Sequence, residues 1–277
     1  ATAMGIQLVC LGTTLRFNEL GSVLKRGGVL LISKFVAGAV IGIVVGKVFG
    51  TDGFLGLSAL AIICAVTNSN GSVYLSLMQS YGDEVDSGAM ALLSLNDGPF
   101  FTLVAMGASG LANIPILSIL AAITPIIVGM ILGNLDKSFS DFLAPAGPIL
   151  IPFVGLTLGA GIDLSAVIKG GPSGVLLGFM TTFIGGAFIV LCDRKISKRP
   201  GYAGWAVATT AGNAVAVPAV VGLADKSLEA YVPQATAQVA ASVVITAILV
   251  PIVTNWWAHK YGCPKFPLEE KKTEAAK

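Results

Sequence analysis

The chain has 277 residues, 55% hydrophobic and only 12% charged, with 34 glycines, a net charge of +2 and a mean hydropathy of +0.84. Soluble domains carry about 25% charged residues, so this composition cannot clothe a water-facing surface, and apolar runs along nearly the whole length exclude disorder, collagen and coiled coil. The mild charge gives no case for nucleic acid; the chain reads as a polytopic membrane protein whose surroundings are the lipid bilayer.

A membrane helix needs roughly 20 mainly apolar residues. That criterion predicts nine spans, at about 1–15, 27–49, 53–80, 87–109, 113–133, 143–161, 172–192, 201–223 and 231–257. The chain opens on Ala1 and is apolar by Gly5 with no basic segment before it, which does not fit a signal peptide, so the first span reads as entered part-way. Short connectors run from Arg16 to Gly28, Tyr81 to Asp86, Asn134 to Asp141 and Asp193 to Pro200, before a tail from Ala258. Alternate connectors and the tail hold most of the 17 Lys and Arg, among them Arg16, Lys25, Arg26, Lys137, Arg194, Lys195, Lys198, Arg199 and Lys260. By the positive-inside rule that side, with the C-terminus, is cytoplasmic. The acidic Asp83–Glu84–Asp86 loop falls on the same side. Four cysteines scattered singly (Cys10, Cys64, Cys192, Cys263) form no metal-binding or disulfide pattern.

The two halves resemble each other. Leu11-Gly12-Thr13-Thr14-Leu15-Arg16 aligns with Leu158-Gly159-Ala160-Gly161-Ile162-Asp163, each before a connector with paired glycines (Gly27-Gly28, Gly170-Gly171). Ala65-Val66-Thr67-Asn68 aligns with Thr210-Ala211-Gly212-Asn213. Partner spans lie an odd number of crossings apart and so run in opposite directions, the inverted repeat of secondary transporters. The expected fold is an all-α membrane protein, a multi-span transporter with an inverted repeat of five plus five helices and two broken crossing helices, its first helix absent from this chain. Residues 1–112 form the first repeat, 113–260 the second, and 261–277 a cytoplasmic tail.

Two spans are interrupted at their middles, the third by Thr67-Asn68-Ser69-Asn70-Gly71-Ser72 and the eighth by Thr209-Thr210-Ala211-Gly212-Asn213 followed by Pro218. Discontinuous helices expose backbone groups near the bilayer midplane, and half-helix N-termini suit a carboxylate. The candidate substrate-binding residues are therefore Asn68, Asn70, Thr209, Thr210 and Asn213. Packing between helices is the other use of small polar residues there. Asp97, beside Asn96 and before Gly98-Pro99, lies near the centre of the fourth span, where an acid is costly and a functional candidate. It reads as a proton carrier or ion ligand, or else as a structural acid at a helix broken at Pro99. Lys34 lies roughly 12 Å into the second span, placed either to attract an anionic substrate or pair with Asp97, or to snorkel back to the interface. Trp256 and Trp257 read as interfacial anchors.

Several segments resemble the bacterial 2-keto-3-deoxygluconate permease family: Asn70-Gly71-Ser72-Val73-Tyr74, Leu93-Ser94-Leu95 with Gly98-Pro99, Leu132-Gly133-Asn134-Leu135-Asp136, Leu150-Ile151-Pro152-Phe153, and Pro233 to Ala240 leading into Ile248-Leu249-Val250-Pro251-Ile252. Lys34 matches a family lysine. The resemblance runs from about residue 5 to 260 and implies one further span upstream. It also implies an architecture similar to that of bile-acid sodium symporters. Acids often found in the family at the places of Thr67 and Asn96 are absent, so coupling has moved to Asp97 or differs.

The resemblance implies proton symport, by alternating access, of 2-keto-3-deoxygluconate, a small anionic sugar acid, across the inner membrane of a bacterium. No cofactor is expected, the coupling ion being a proton. The alternative with the same fold is sodium-coupled import of another organic anion, with Asn and Thr oxygens as ligands. An intramembrane enzyme is more distant, since Asp163 lies at a span end and matches no protease motif. The sequence does not give the oligomeric state.

Overall fold

In a bilayer every backbone donor and acceptor must be satisfied within the protein, which restricts a chain of this composition to helices and to breaks buried in protein. The computed structural model describes residues 2–15, 17–50, 52–96, 98–146, 149–150, 153 and 164–268. In chain order, the helices are α1 (Thr2–Gly12), α2 (Phe17–Phe49), α3 (Ala59–Thr67), α4 (Gly71–Tyr81), α5 (Glu84–Leu93), α6 (Phe100–Ser109), α7 (Ile116–Leu135) and α8 (Lys137–Leu143). Then come α9 (Leu164–Phe179), which passes through a π turn at Met180–Gly185 into α10 (Gly186–Lys195), α11 (Tyr202–Val207), α12 (Val217–Ala224) and α13 (Val232–Tyr261).

Among the described residues, six helical stretches are long and apolar enough to cross a membrane: Leu24–Phe49, Ala59–Tyr81, Ile116–Leu135, Gly171–Lys195, Tyr202–Ala224 and Lys226–Tyr261. A seventh crossing is available if Glu84–Asn96 and Phe100–Ser109, bent by 59° at Pro99, count as one span. Three of the nine predicted spans are not among these six. The span at 1–15 is represented by α1, whose 11 residues are too few to cross alone. The predicted span at 143–161 falls mostly outside the described residues, as do Leu158 to Asp163 of the repeat alignment. The fourth span is a bent pair, with the interruption at the Gly98-Pro99 step that the sequence marked.

The first connector also differs. α2 begins at Phe17, ahead of the expected start at residue 27, so Gly27 and Gly28 lie inside a helix of 33 residues. Gly27 lets α5 approach, since a Cβ there would meet Leu92 at 2.9 Å. Gly170 and Gly171 likewise lie within α9.

Packing separates two groups. α1 lies along α7, which continues into α8. Glycine makes this approach possible, because a Cβ on Gly12 would overlap the Ile126 carbonyl and one on Gly129 the Val9 carbonyl. The second group gathers on α2 and α13: α2 packs on α3, α5 and α10, and α13 on α9 and α11. Within it the two broken spans cross. α11 meets α4, and α12 meets α3, so the first half of each span lies against the second half of the other and the two run antiparallel.

A buried charge cluster holds one end of this group. Arg26 of α2 donates from Nε to Asp86 Oδ1 of α5 at 2.6 Å and pairs with Asp193 of α10, and all three are buried. Tyr74 of α4 donates to the Asp86 carbonyl (2.7 Å), Tyr202 of α11 to Asp86 Oδ2 (2.5 Å), and Arg199 pairs with Asp83 (2.6 Å). The connector acids and bases are thus each other's partners at one end. The opposite end gathers Asp52 with Tyr231, Gly56 with Gln238, and Asn113 with Asp225.

Removing one member of a buried ion pair leaves an uncompensated charge, at a cost of about 3–5 kcal/mol. Arg26→Met is therefore expected to lower the melting temperature in detergent sharply, whereas Lys137→Met, which breaks only the exposed pair with Asp141, leaves it nearly unchanged. At the same end, partial burial pushes the Asp83 carboxyl up, but hydrogen bonds from Arg199 and the Asp86 amide outweigh it and hold it below its ordinary value. A depressed carboxyl stabilises the fold above its unfolded pKa, and that contribution is lost as pH falls through the folded value. Arg199→Gln is expected to flatten this acid-side loss, read as melting temperature from about pH 7 to about pH 3.

Candidate functional site

The first break begins where α3, buried along its length and capped by Ser58, ends at Thr67. Asn68 is extended (φ −104°, ψ 142°), and its amide takes over groups that the helix releases. Its Nδ2 donates to the Cys64 carbonyl at 2.9 Å and reaches the hydroxyls of Thr67 and Thr102, each at 3.2 Å. Asn96 supports the next residues, accepting from Ser69 Oγ (3.1 Å) and donating to the Thr67 carbonyl (3.3 Å). Asn70 then restarts the helix as N-cap, its Oδ1 accepting from the Val73 N–H.

The second break runs from Ala208 through a 3-10 turn at Gly212–Ala216 into α12. Lys34 is fully buried, and its Nζ donates to the Thr209 carbonyl at 2.7 Å. Thr209 Oγ1 accepts the backbone N–H of Asn70, also at 2.7 Å, joining one break to the other. The Thr210 N–H and hydroxyl are held by Thr246 (3.0 Å) and Ser242 (2.7 Å) of α13. Asn213 Oδ1 accepts from Gln7 Nε2 of α1 at 3.1 Å.

Both restarts open on one cavity of about 470 Å3. Asn70, Gly71 and Ser72 line it from the start of α4, and Gly212 and Asn213 from the turn that leads into α12. The remaining wall is Leu11 and Thr14 of α1, Ser87, Gly88, Met90 and Ala91 of α5, with Leu75, Ser94 and Ala144. The volume suits a small organic ligand. Two helix starts present the positive ends of their dipoles to it, beside asparagine amides and serine hydroxyls, a lining suited to a carboxylate on a hydroxylated chain.

The sequence candidates therefore divide. Asn70 and Asn213 line the cavity. Thr209 and Lys34 stand directly behind it, linked to Asn70. Asn68, Thr210 and Asn96 are hydrogen-bonded within the breaks and lie outside the lining, while Asp97 is outside the described residues. Lys34 does not snorkel: it sits beneath the second break, where the Thr209 carbonyl is an acceptor its short reach can meet. Sequence reasoning passed over Gln7, Thr102 and the acidic partners of Arg26. Gln7 did carry a signal, as an amide within an apolar stretch.

Thr209→Val keeps the side-chain volume but removes the acceptor for the Asn70 N–H. It is expected to cost about 1 kcal/mol of stability, and Thr209→Ser much less, as measured by thermal unfolding in detergent.

The model of the family "2-keto-3-deoxygluconate permease" matches residues 1–263. A protein of Salmonella typhimurium named 2-keto-3-deoxygluconate permease 1 is 47% identical over 260 residues, covering 94% of this chain and 82% of the relative. Proteins named 2-keto-3-deoxygluconate permease from Enterobacter sp. and Bacillus subtilis are 37% and 36% identical, covering 98% and 91% of this chain and 84% and 78% of their own.

Proposed function

The chain belongs to the 2-keto-3-deoxygluconate permease family, multi-pass membrane transporters, and on that premise we propose that it imports 2-keto-3-deoxygluconate by proton symport. The observation that carries this reading is the convergence of two half-helix starts, with Asn70 and Asn213, on one cavity. The substrate carboxylate lies against the N–H groups at the starts of α4 and the Gly212–Ala216 turn, where the field is positive. Lys34 adds a buried amine one hydrogen bond behind that site and ties the position of the second break to its own charge. Asp97, next to Asn96 whose amide braces the first break, carries the coupling proton.

Rocking of the α1–α7 group against the group containing the broken spans exposes the cavity to each side in turn. The charged end that includes Arg26, Arg199 and the end of α13 faces the cytoplasm, and the bilayer is a bacterial inner membrane. A second reading, sodium coupling, draws on Asn68 Oδ1, which is buried and without a hydrogen-bond donor among the described residues, beside the hydroxyls of Thr67 and Thr102.

The test is uptake of labelled 2-keto-3-deoxygluconate by full-length protein in proteoliposomes under an imposed pH gradient or an imposed sodium gradient. Accumulation with the pH gradient alone is expected; accumulation with sodium alone selects the second reading. No uptake with either gradient, from folded protein, discards the substrate. Asp97→Asn is expected to abolish accumulation driven by the pH gradient while substrate exchange continues, and intact accumulation would remove Asp97 from the proton path.

A further inference from the structure

Gln7 is fully buried at the middle of α1, a helix whose other residues line two cavities. Leu11 and Thr14, one and two turns further along the same face, line the larger cavity. Gly5 and Leu8, one turn apart on another face of α1, line a second, mainly apolar cavity of about 280 Å3 bounded by Pro99, Pro125 of α7 and Leu223 of α12. The second broken span is divided in the same way, with Asn213 at the larger cavity and Val220 to Ala224 at the smaller. The Gln7–Asn213 hydrogen bond therefore joins α1 to the second broken span at a residue that lines the larger cavity.

That bridge uses only half of the Gln7 amide. Nε2 donates to Asn213, but Oε1 is buried with no hydrogen-bond partner among the described residues. Turning the amide over would leave the NH2 group in the same position. A buried polar atom left unmade is costly, and such atoms in native proteins call for a partner. No charge lies on Gln7, so its free atom suits a hydroxyl better than a carboxylate, which the helix starts already accommodate.

We propose that Gln7 is a specificity-determining residue that reads the hydroxylated end of the substrate, its Oε1 accepting a hydroxyl proton while the carboxylate lies at the helix starts. This rests on the sugar-acid reading above. It gives the site two poles, a positive one for the acid group and an amide one, shared by Gln7 and Asn213, for the polyol. Since Gln7 belongs to α1 and Asn213 to the broken span, occupancy of this pole also links the two groups that rock against each other.

The experiment compares competition by 2-keto-3-deoxygluconate with that by 2-oxohexanoate, an acid of the same length without hydroxyls, in counterflow with full-length protein. Gln7→Met, which keeps length and removes hydrogen bonding, is expected to weaken the hydroxylated acid roughly tenfold relative to 2-oxohexanoate. Gln7→Leu serves if the Met variant lacks a wild-type melting curve. A collapsed ratio supports the assignment, because a purely structural role would weaken both acids alike. An unchanged ratio in a folded variant overturns it. Wild-type protein that binds neither acid overturns the substrate reading itself, and the Gln7 assignment falls with it.

Discussion

A break in a membrane helix releases backbone donors and acceptors where no water can take them up, and the arrangement of this protein follows from how its two breaks are repaired. The repairs are mutual. Thr209 of one break accepts the Asn70 N–H of the other, and Lys34, from a third span, holds the Thr209 carbonyl. Asn68 and Asn96 close the carbonyls at the end of α3. What remains unrepaired is directional: the starts of α4 and of the turn before α12 point into a single cavity. The candidate site is thus where the two repaired breaks leave helix starts facing a shared space.

The same constraint explains the polar cluster at one end. Arg26 lies within a stretch hydrophobic enough to span, and there it is tolerable only with partners. Asp86 and Asp193 arrive from two other helices, and Tyr74 and Tyr202 from the far halves of both broken spans. Arg26 and Asp86 together therefore tie both broken spans to α2, α5 and α10. The site is held from both directions, by hydrogen bonds at the breaks and by charge at the end, while α1 and α7 join it through a shared apolar core that includes Leu8, Leu15 and Ile126 and through the Gln7–Asn213 bond.

Asn70 and Asn213 were readable as site residues because a polar run in the middle of an apolar span is costly in lipid and marks a helix that stops there. Lys34 was readable as unusual but not in its role, since its direction depends on a carbonyl 175 positions away. Asn68 and Thr210 carried the same sequence signal as Asn70, yet their side chains turn to neighbouring carbonyls and hydroxyls. Side-chain type marks a break, but only its geometry decides which atoms face inward. The early start of α2 had a similar cause: the charge and glycines around Arg26 resemble a connector until their partners are known.

By itself the sequence determined a helical membrane protein, two mid-span breaks and the family, because apolar runs of fixed length and local polar interruptions are properties of consecutive residues. The tertiary structure alone decided that their restarts share one cavity, and that Arg26 and Gln7 find partners on distant helices. Those outcomes depend on contacts between residues far apart in the chain, and no local pattern encodes which buried donor will meet which acceptor.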